Sequence, residues 1–294
     1  MQLLTTAEAA AYLRLKERKI YEMVAEGTVP CTKVTGRWLF PKAELDQWVA
    51  GSVTRPAGSA RAAPPAIVAG SHDPLLEWAL RESGSGLATL AVGSEAGLAR
   101  FAAGEALAAC MHLHALDNIE ADANVATMQS RSDMPDAVLI AFCRREQGFL
   151  VPPGNPLKFK SVDDVIAKRA RMTMRPKGAG AQLLLLTLLH KAKGSIDQIA
   201  AVSPICPTGS DVAQAIRAGR ADAGIATRSI AEAAGLGFVP IVWERFDLVV
   251  RQRDYFHAPW QALVKFLSNQ EFAARAKEFG GYDVGGAGSI RFAV

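Results

Sequence analysis

Residues 51–66, GSVTRPAGSARAAPPA, are dominated by Gly, Ser, Ala and Pro and offer no side chains from which a core can be built. Such a composition reads as a flexible, partly extended tether. It divides the 294-residue chain into a short unit, residues 1–50, and a long one, residues 67–294. Each must be read as a fold of its own.

In the short unit, Thr5 and Glu8 have the spacing of a capping box at a helix start. Ala9, Ala10 and Leu13 then supply one apolar face, and Arg14-Leu15 breaks the pattern. A second helix is predicted over Glu17 to Glu26, with Ile20, Met23 and Val24 inward and Gly27 ending it. Val29 to Phe40 alternates around Thr35-Gly36, as a hairpin does. Pro41, Leu45, Trp48 and Val49 predict a third helix under that hairpin. Two helices joined by a tight turn and followed by a wing form the helix-turn-helix plan, in which the second helix enters the major groove.

The runs TTAEAAAYLRL, KERKIYEMVAEGTVP, GRWLF and PKAELDQWV resemble the excisionase-type, MerR-like DNA-binding domain over nearly all of residues 2–49. That resemblance implies double-stranded DNA as a partner. It puts Lys16, Arg18, Lys19 and Tyr21 on the recognition helix and Arg37 at the wing tip. One departure is Lys16, which stands where a small hydroxyl residue often caps the second helix. Residues 1–50 hold seven Lys/Arg against six Asp/Glu, so bulk charge does not argue for DNA. The local cluster of Arg14, Lys16, Arg18 and Lys19 does, because cations at phosphates supply most non-specific affinity. A solvated face on a small helical domain, or a protein-binding use of the same fold, remains the alternative.

Beyond the tether, short apolar runs alternate with helical patterns. Strands are predicted at 66–71, 87–92, 109–115, 137–143, 171–174, 222–226 and 238–251. Helices are predicted at 73–82, 95–103, 161–169, 180–192, 210–218, 229–234, 259–267 and 270–279. The alternation predicts an α/β fold with mainly parallel sheets.

Four segments, VAGSHDPLLEWAL, VGSEAGLARFAAGEALAACMHLHALDN, REQGFLVPPGNPLKFKSVDDVI and SDVAQAIRAGRADAGIATRSIAEAAGLGFVPIVWERFDLVV, resemble the periplasmic-binding-protein-like domain related to molybdate receptors. The resemblance covers nearly all of residues 66–285. It implies two α/β lobes joined by two hinge strands, with a small ligand in the cleft between them. The crossings are expected near Val138–Arg144 and Arg245–Val250. Domains of this kind occur in the cytoplasm, attached to helix-turn-helix modules and to molybdopterin-biosynthesis proteins.

Ligands in open α/β sheets collect beyond the carboxyl ends of strands, where helix N-termini point amides outward. The junctions that qualify are Ser71-His72-Asp73, Gly93-Ser94-Glu95 and Gly178-Ala179-Gly180-Ala181-Gln182, with Thr208-Gly209-Ser210-Asp211 as a fourth. From these, the expected ligand-binding residues are Ser71, His72, Asp73, Ser94, Glu95, Gly178, Gly180, Gln182 and Asp211, joined by His112 and Arg175. Ser71, Asp73 and Ser210 are equally read as ordinary helix caps, worth about 1 kcal/mol each. At the third junction relatives carry a Gly-Ser-Gly-Thr-Arg-like run, which this chain replaces with Ala179, Ala181 and Gln182. Arg175 and Lys177 just upstream restore positive charge. The expected effector is therefore a small molecule or an oxyanion such as molybdate or tungstate, and a larger or less charged ligand fits the altered junction.

His112 and His114 alternate on a predicted strand and share a face. Lone strand histidines are more often hydrogen-bonded core or rim residues, so no metal is expected there. Cys31, Cys110, Cys143 and Cys206 lie far apart, with neither a zinc pattern nor a disulfide framework. No nucleophile elbow, phosphate-cradling loop or carboxylate pair appears, so neither an enzyme nor a cofactor is implied. No secretion signal or membrane-length apolar run opens the chain or interrupts it, which predicts a cytoplasmic protein without membrane contact.

The combined expectation is a one-component transcriptional regulator, homodimeric because one short recognition helix reads few bases. The alternatives are a solute receptor and an accessory protein of molybdenum-cofactor synthesis.

Overall fold

The computed structural model describes residues 2–34, 36–51, 63–119 and 121–293. The chain forms two compact units, Met1–Ala62 and Ala63–Val294. The expected tether falls mostly outside the described residues: Gly51 closes a helix, and residues 52–62 are not described.

The first unit runs β1 (Leu3–Thr5), α1 (Thr6–Leu13), α2 (Glu17–Ala25), β2 (Thr32–Val34), β3 (Arg37–Pro41) and α3 (Lys42–Gly51). Thr5 caps α1 as its spacing predicts. Its backbone N–H donates to Glu8 Oε2 at 2.7 Å, and the Glu8 N–H donates back to Thr5 Oγ1 at 3.3 Å. Arg14 adopts φ 55, a left-handed residue that turns the chain between the two helices. The three strands form an antiparallel sheet in the order β1-β3-β2. Strand β1 was not expected, since three residues are too few for an alternation to register. The wing turn falls partly outside the described residues; Gly36 carries φ 80. Leu4, Ala9, Ala10, Ile20, Val29, Phe40 and Leu45 form the core.

The second unit begins β4 (Ile67–Gly70), α4 (Pro74–Glu82), β5 (Ala88–Ala91), α5 (Ser94–Ala103), β6 (Ala108–Met111) and α6 (Ala123–Ser130). The long strand β7 (Ala137–Val151) leads into α7 (Val162–Ala167), β8 (Arg171–Thr173), α8 (Gly180–Lys191), β9 (Ala200–Val202), α9 (Gly209–Arg217), β10 (Gly224–Thr227) and α10 (Arg228–Ala233). A second long strand, β11 (Gly237–Arg251), returns to α11 (Gln252–Tyr255), α12 (Ala258–Leu267), α13 (Gln270–Phe279), β12 (Tyr282–Asp283) and β13 (Ile290–Ala293).

The main sheet has the order β10-β7-β11-β6-β4-β5, with β12 and β13 also on β7. Here the expectation of mainly parallel sheets is corrected. Strand β4 is parallel to β5 and β6, but every pairing of β7 and β11 is antiparallel. The reason is topological: β7 carries the chain from the first lobe to the second, and β11 carries it back.

Apolar packing marks the lobes. Val138, Ile140 and Phe142 of β7 pack with Phe246, Leu248 and Val250 of β11 in the first lobe. Phe149 and Val151 belong to the core of the second, against α7 and α8. The apolar pattern therefore lapses at Arg144–Gly148 and around Trp243–Arg245, and these are the crossings. The segments expected to cross lie mainly inside the first lobe, where both faces of its sheet are covered by helices.

One further boundary moves. Strand β6 ends at Met111 rather than continuing to residue 115. Side chains take the bonds that a ladder would use: the His112 N–H donates to Ser94 Oγ at 3.1 Å and the Leu113 N–H to Asn124 Oδ1 at 2.9 Å.

Candidate functional site

The crossing strands carry polar residues where the rest of each strand is apolar, and these meet the junctions of the first lobe. Arg145, 1% exposed, sits at the centre. Its Nε donates to Glu244 Oε1 and its Nη1 to Asp73 Oδ2, both at 2.7 Å. Its guanidinium lies 4.2 Å from the centre of the Phe246 ring. Asp73 also caps α4 by accepting from the Leu76 N–H, and its Oδ2 accepts from the Tyr282 hydroxyl. On the other side, Glu244 Oε1 accepts from Gln147 Nε2 at 3.0 Å. Its Oε2 meets His112 Nδ1 at 2.9 Å and His114 Nε2 at 2.8 Å.

Burial works to raise the Glu244 carboxyl, but the neighbouring His112 and Arg145 and the histidine hydrogen bonds outweigh it and hold it well below the ordinary range. Burial lowers the His112 imidazole to about 4 despite the pull of Glu244, so this ring is neutral at pH 7. Burial also opposes the Arg145 charge, yet Glu244 and Asp73 raise it further above its usual value. The guanidinium and the carboxylate are thus both ionised.

The expected junction residues fall around this cluster. Ser71 Oγ and Ser94 Oγ lie 2.9 Å apart, and Ser94 Oγ donates to the His112 carbonyl. Glu95 reaches the other lobe, its N–H donating to the Gly178 carbonyl at 3.3 Å. Gly180 packs on His112 so closely that a Cβ there would lie 2.1 Å from the His112 carbonyl oxygen, well inside van der Waals contact. Gln182 Oε1 accepts from the Arg175 N–H, and Arg175 Nη2 donates to the Pro207 carbonyl. Burial pulls the Arg175 guanidinium down to about 10. Asp211 is used locally, accepting from the Thr208 N–H and hydroxyl as a capping box. His72 Nε2 lies 3.5 Å from Glu77 Oε1.

The Glu95–Gly178 and Gly180–His112 contacts bring the junctions of the two lobes together. Four buried polar atoms on the cleft-forming segments have no partner: His72 Nδ1, Gln147 Oε1, Thr173 Oγ1 and Arg175 Nε. Buried polar groups left unpaired are costly.

The larger space lies beside the hinge. A cavity of about 750 Å³ is lined by His114, Asn124, Arg144, Glu146, Trp243 and Arg245, with Glu244 at its wall. His114 and Glu244 belong both to this cavity and to the buried cluster. Sequence reasoning missed Arg145, Gln147 and Glu244. The signal was available as RREQ and WER, each interrupting an apolar run long enough for a strand.

In the first unit, Lys16, Arg18, Lys19, Tyr21 and Arg37 are all exposed. Lys16 is the N-cap of α2 without a side-chain cap bond, in keeping with the missing hydroxyl. Arg18 and Lys19 both pair with Glu22, at 3.3 and 3.4 Å. Exposed pairs of this kind are worth little, so both cations stay available to another anion.

The model of the PBP superfamily domain matches residues 77–268, and a helix-turn-helix domain model matches residues 3–52. A Bacillus subtilis (strain 168) protein described only as uncharacterized protein YvgK is 26% identical over 152 residues, 52% of this chain. The match spans 49% of that relative's length. Among solved structures, a substrate-binding protein of Clostridium perfringens described as a phosphate transporter component, with bound phosphate, aligns with a TM-score of 0.52 at 10% identity. The tungstate ABC transporter protein of Geobacter sulfurreducens aligns with a TM-score of 0.50 at 14% identity. Each covers 72% of this chain and 97% of its own. At these identities the likeness is one of fold.

Proposed function

This chain belongs to the PBP superfamily and opens with a helix-turn-helix domain, and from that premise we propose that it is a one-component DNA-binding transcriptional regulator whose larger unit senses a small ligand. The observation that carries this reading is the union in one chain of a helix-turn-helix unit presenting exposed cations with a two-lobed solute-binding fold. No helix among the described residues is long and apolar enough to cross a membrane.

The effector class is a small anion, an oxyanion such as molybdate or tungstate or a small organic acid. The bound phosphate and the tungstate in the names of the two neighbours support it. The four unpartnered polar atoms in the cleft supply donors and acceptors for such a guest. Binding shifts the output only if the ligand prefers one lobe arrangement over another. The closed junction contacts through Gly178 and Gly180 define one such arrangement. Two copies reading two half-sites would supply the operator specificity that a single short helix lacks.

The test is titration of the full chain onto DNA from upstream of its own gene, with and without molybdate, tungstate and phosphate. Specific binding that changes with one of them supports the proposal, and no specific binding to any genomic fragment overturns it. A solute receptor, as the Clostridium perfringens neighbour is described, would bind the anion and ignore DNA.

A further inference from the structure

We propose that His112, His114 and Glu244 form a binding site for a divalent transition-metal ion of the zinc class, open to the hinge cavity on one side. This goes beyond the regulator reading and does not depend on it, because metal binding is measured without DNA.

The geometry comes first. One ligand atom from each of His112, His114 and Glu244 lies within 4.8 Å of the other two, and His112 Nδ1 and His114 Nε2 are 2.9 and 2.8 Å from Glu244 Oε2. The two imidazole planes are nearly perpendicular, with ring centres 6.1 Å apart, so the rings converge on the carboxylate from different directions. Zinc bonds to nitrogen and oxygen of about 2.0–2.2 Å at a tetrahedral angle place ligand atoms about 3.3 Å apart. The observed separations of 2.9 and 2.8 Å are shorter by roughly half an ångström, the distance that a bound ion has to open.

The surroundings match what a metal ligand needs. Glu244 presents only Oε2 to the histidines, because Arg145 Nε and Gln147 Nε2 hold Oε1. Such outer partners orient a ligating carboxylate. His114 and Glu244 are among the residues lining the cavity, the side from which an ion and its fourth ligand would come. Three protein ligands with one exchangeable position are typical of zinc sites that act on a guest. The competing arrangement is purely hydrogen-bonded, each ring donating one N–H to Oε2.

The experiment is calorimetric titration of the metal-free full chain with Zn²⁺ alone, together with the visible spectrum of Co²⁺ bound in its place. One ion per chain and the intense visible bands of four-coordinate Co²⁺ are expected. Glu244→Gln and His114→Ala should each weaken binding by more than the roughly 10–100-fold loss typical of outer-shell changes. If Glu244→Gln does not fold, His114→Ala and the Co²⁺ spectrum decide. No binding to the intact chain overturns the site, as does binding that both variants leave unchanged.

Discussion

Arg145 and Glu244, ninety-nine residues apart in the chain, face each other across the two long strands with Nε 2.7 Å from Oε1. They stand where the apolar pattern of both strands lapses, so charge is buried where the strands cross between the lobes. Arg145→Met removes the buried guanidinium that Glu244 and Asp73 share. We expect a loss of about 3–5 kcal/mol in the unfolding transition of the larger unit, read by urea denaturation. A change below about 1 kcal/mol would show that the pair is not holding the hinge.

Gly180 tests the closed cleft. A Cβ at that position meets the carbonyl oxygen and ring of His112, backbone and packed atoms that cannot swing aside. Gly180→Ala should cost about 1–3 kcal/mol and enlarge the radius of gyration measured by small-angle scattering, as the lobes part. An unchanged radius and stability would mean that the junctions do not touch in solution.

The DNA surface makes a graded prediction. Alanine at Lys16, Arg18, Lys19 or Arg37 should weaken DNA binding and lower the slope of log affinity against log salt by about one unit each where the cation meets a phosphate. Thr5→Ala acts differently, destabilising the first unit by about 1 kcal/mol through loss of the capping box. A fluorescence anisotropy titration at several salt concentrations separates the two effects.

Asp247 should give the larger unit a measurable pH dependence. Burial raises its carboxyl from 3.8 to about 6, with Arg291 and the Asn124 amide opposing. A folded value above the unfolded one stabilises fully below the unfolded value and loses that contribution as pH rises through the folded one. Between about pH 4 and pH 7, wild type should therefore lose stability relative to Asp247→Asn, by on the order of 3 kcal/mol. Paired urea titrations at the two ends of that range read the difference, and a flat or rising difference contradicts the assignment.

The thiols should separate by burial. Burial pushes the Cys110 thiol up to about 12 and Cys143 well above its usual value, and it raises Cys206 as well. A thiolate-specific reagent should reach Cys31, which is only half-buried, before the other three. Rapid reaction of Cys110 or Cys143 in the native protein would show that the core around them opens.

Much of this architecture follows from local pattern. The capping box at Thr5 and Glu8, the apolar faces of α1 and α2, and most strand and helix positions of the second unit are short-range regularities of period two or 3.6, which a sequence displays directly. So are the strand-to-helix junctions, where Ser71, Ser94 and Gly178 announce themselves as small residues. Strand β1, helix α6 and the end of β6 were not legible, because each depends on a partner distant in sequence. The Ser94 hydroxyl and the Asn124 amide, for instance, stop β6 by taking its amides.

The centre of the candidate site belongs to that second class. The residue types of His112, His114, Arg145 and Glu244 are plain in the sequence, but nothing local says that they meet. The sequence by itself determined the two-unit plan and the elements within it, through periodicity and capping. Only the tertiary structure decided that β7 and β11 run antiparallel and in register, and it is this pairing that places Glu244 opposite Arg145 and beneath the two histidines.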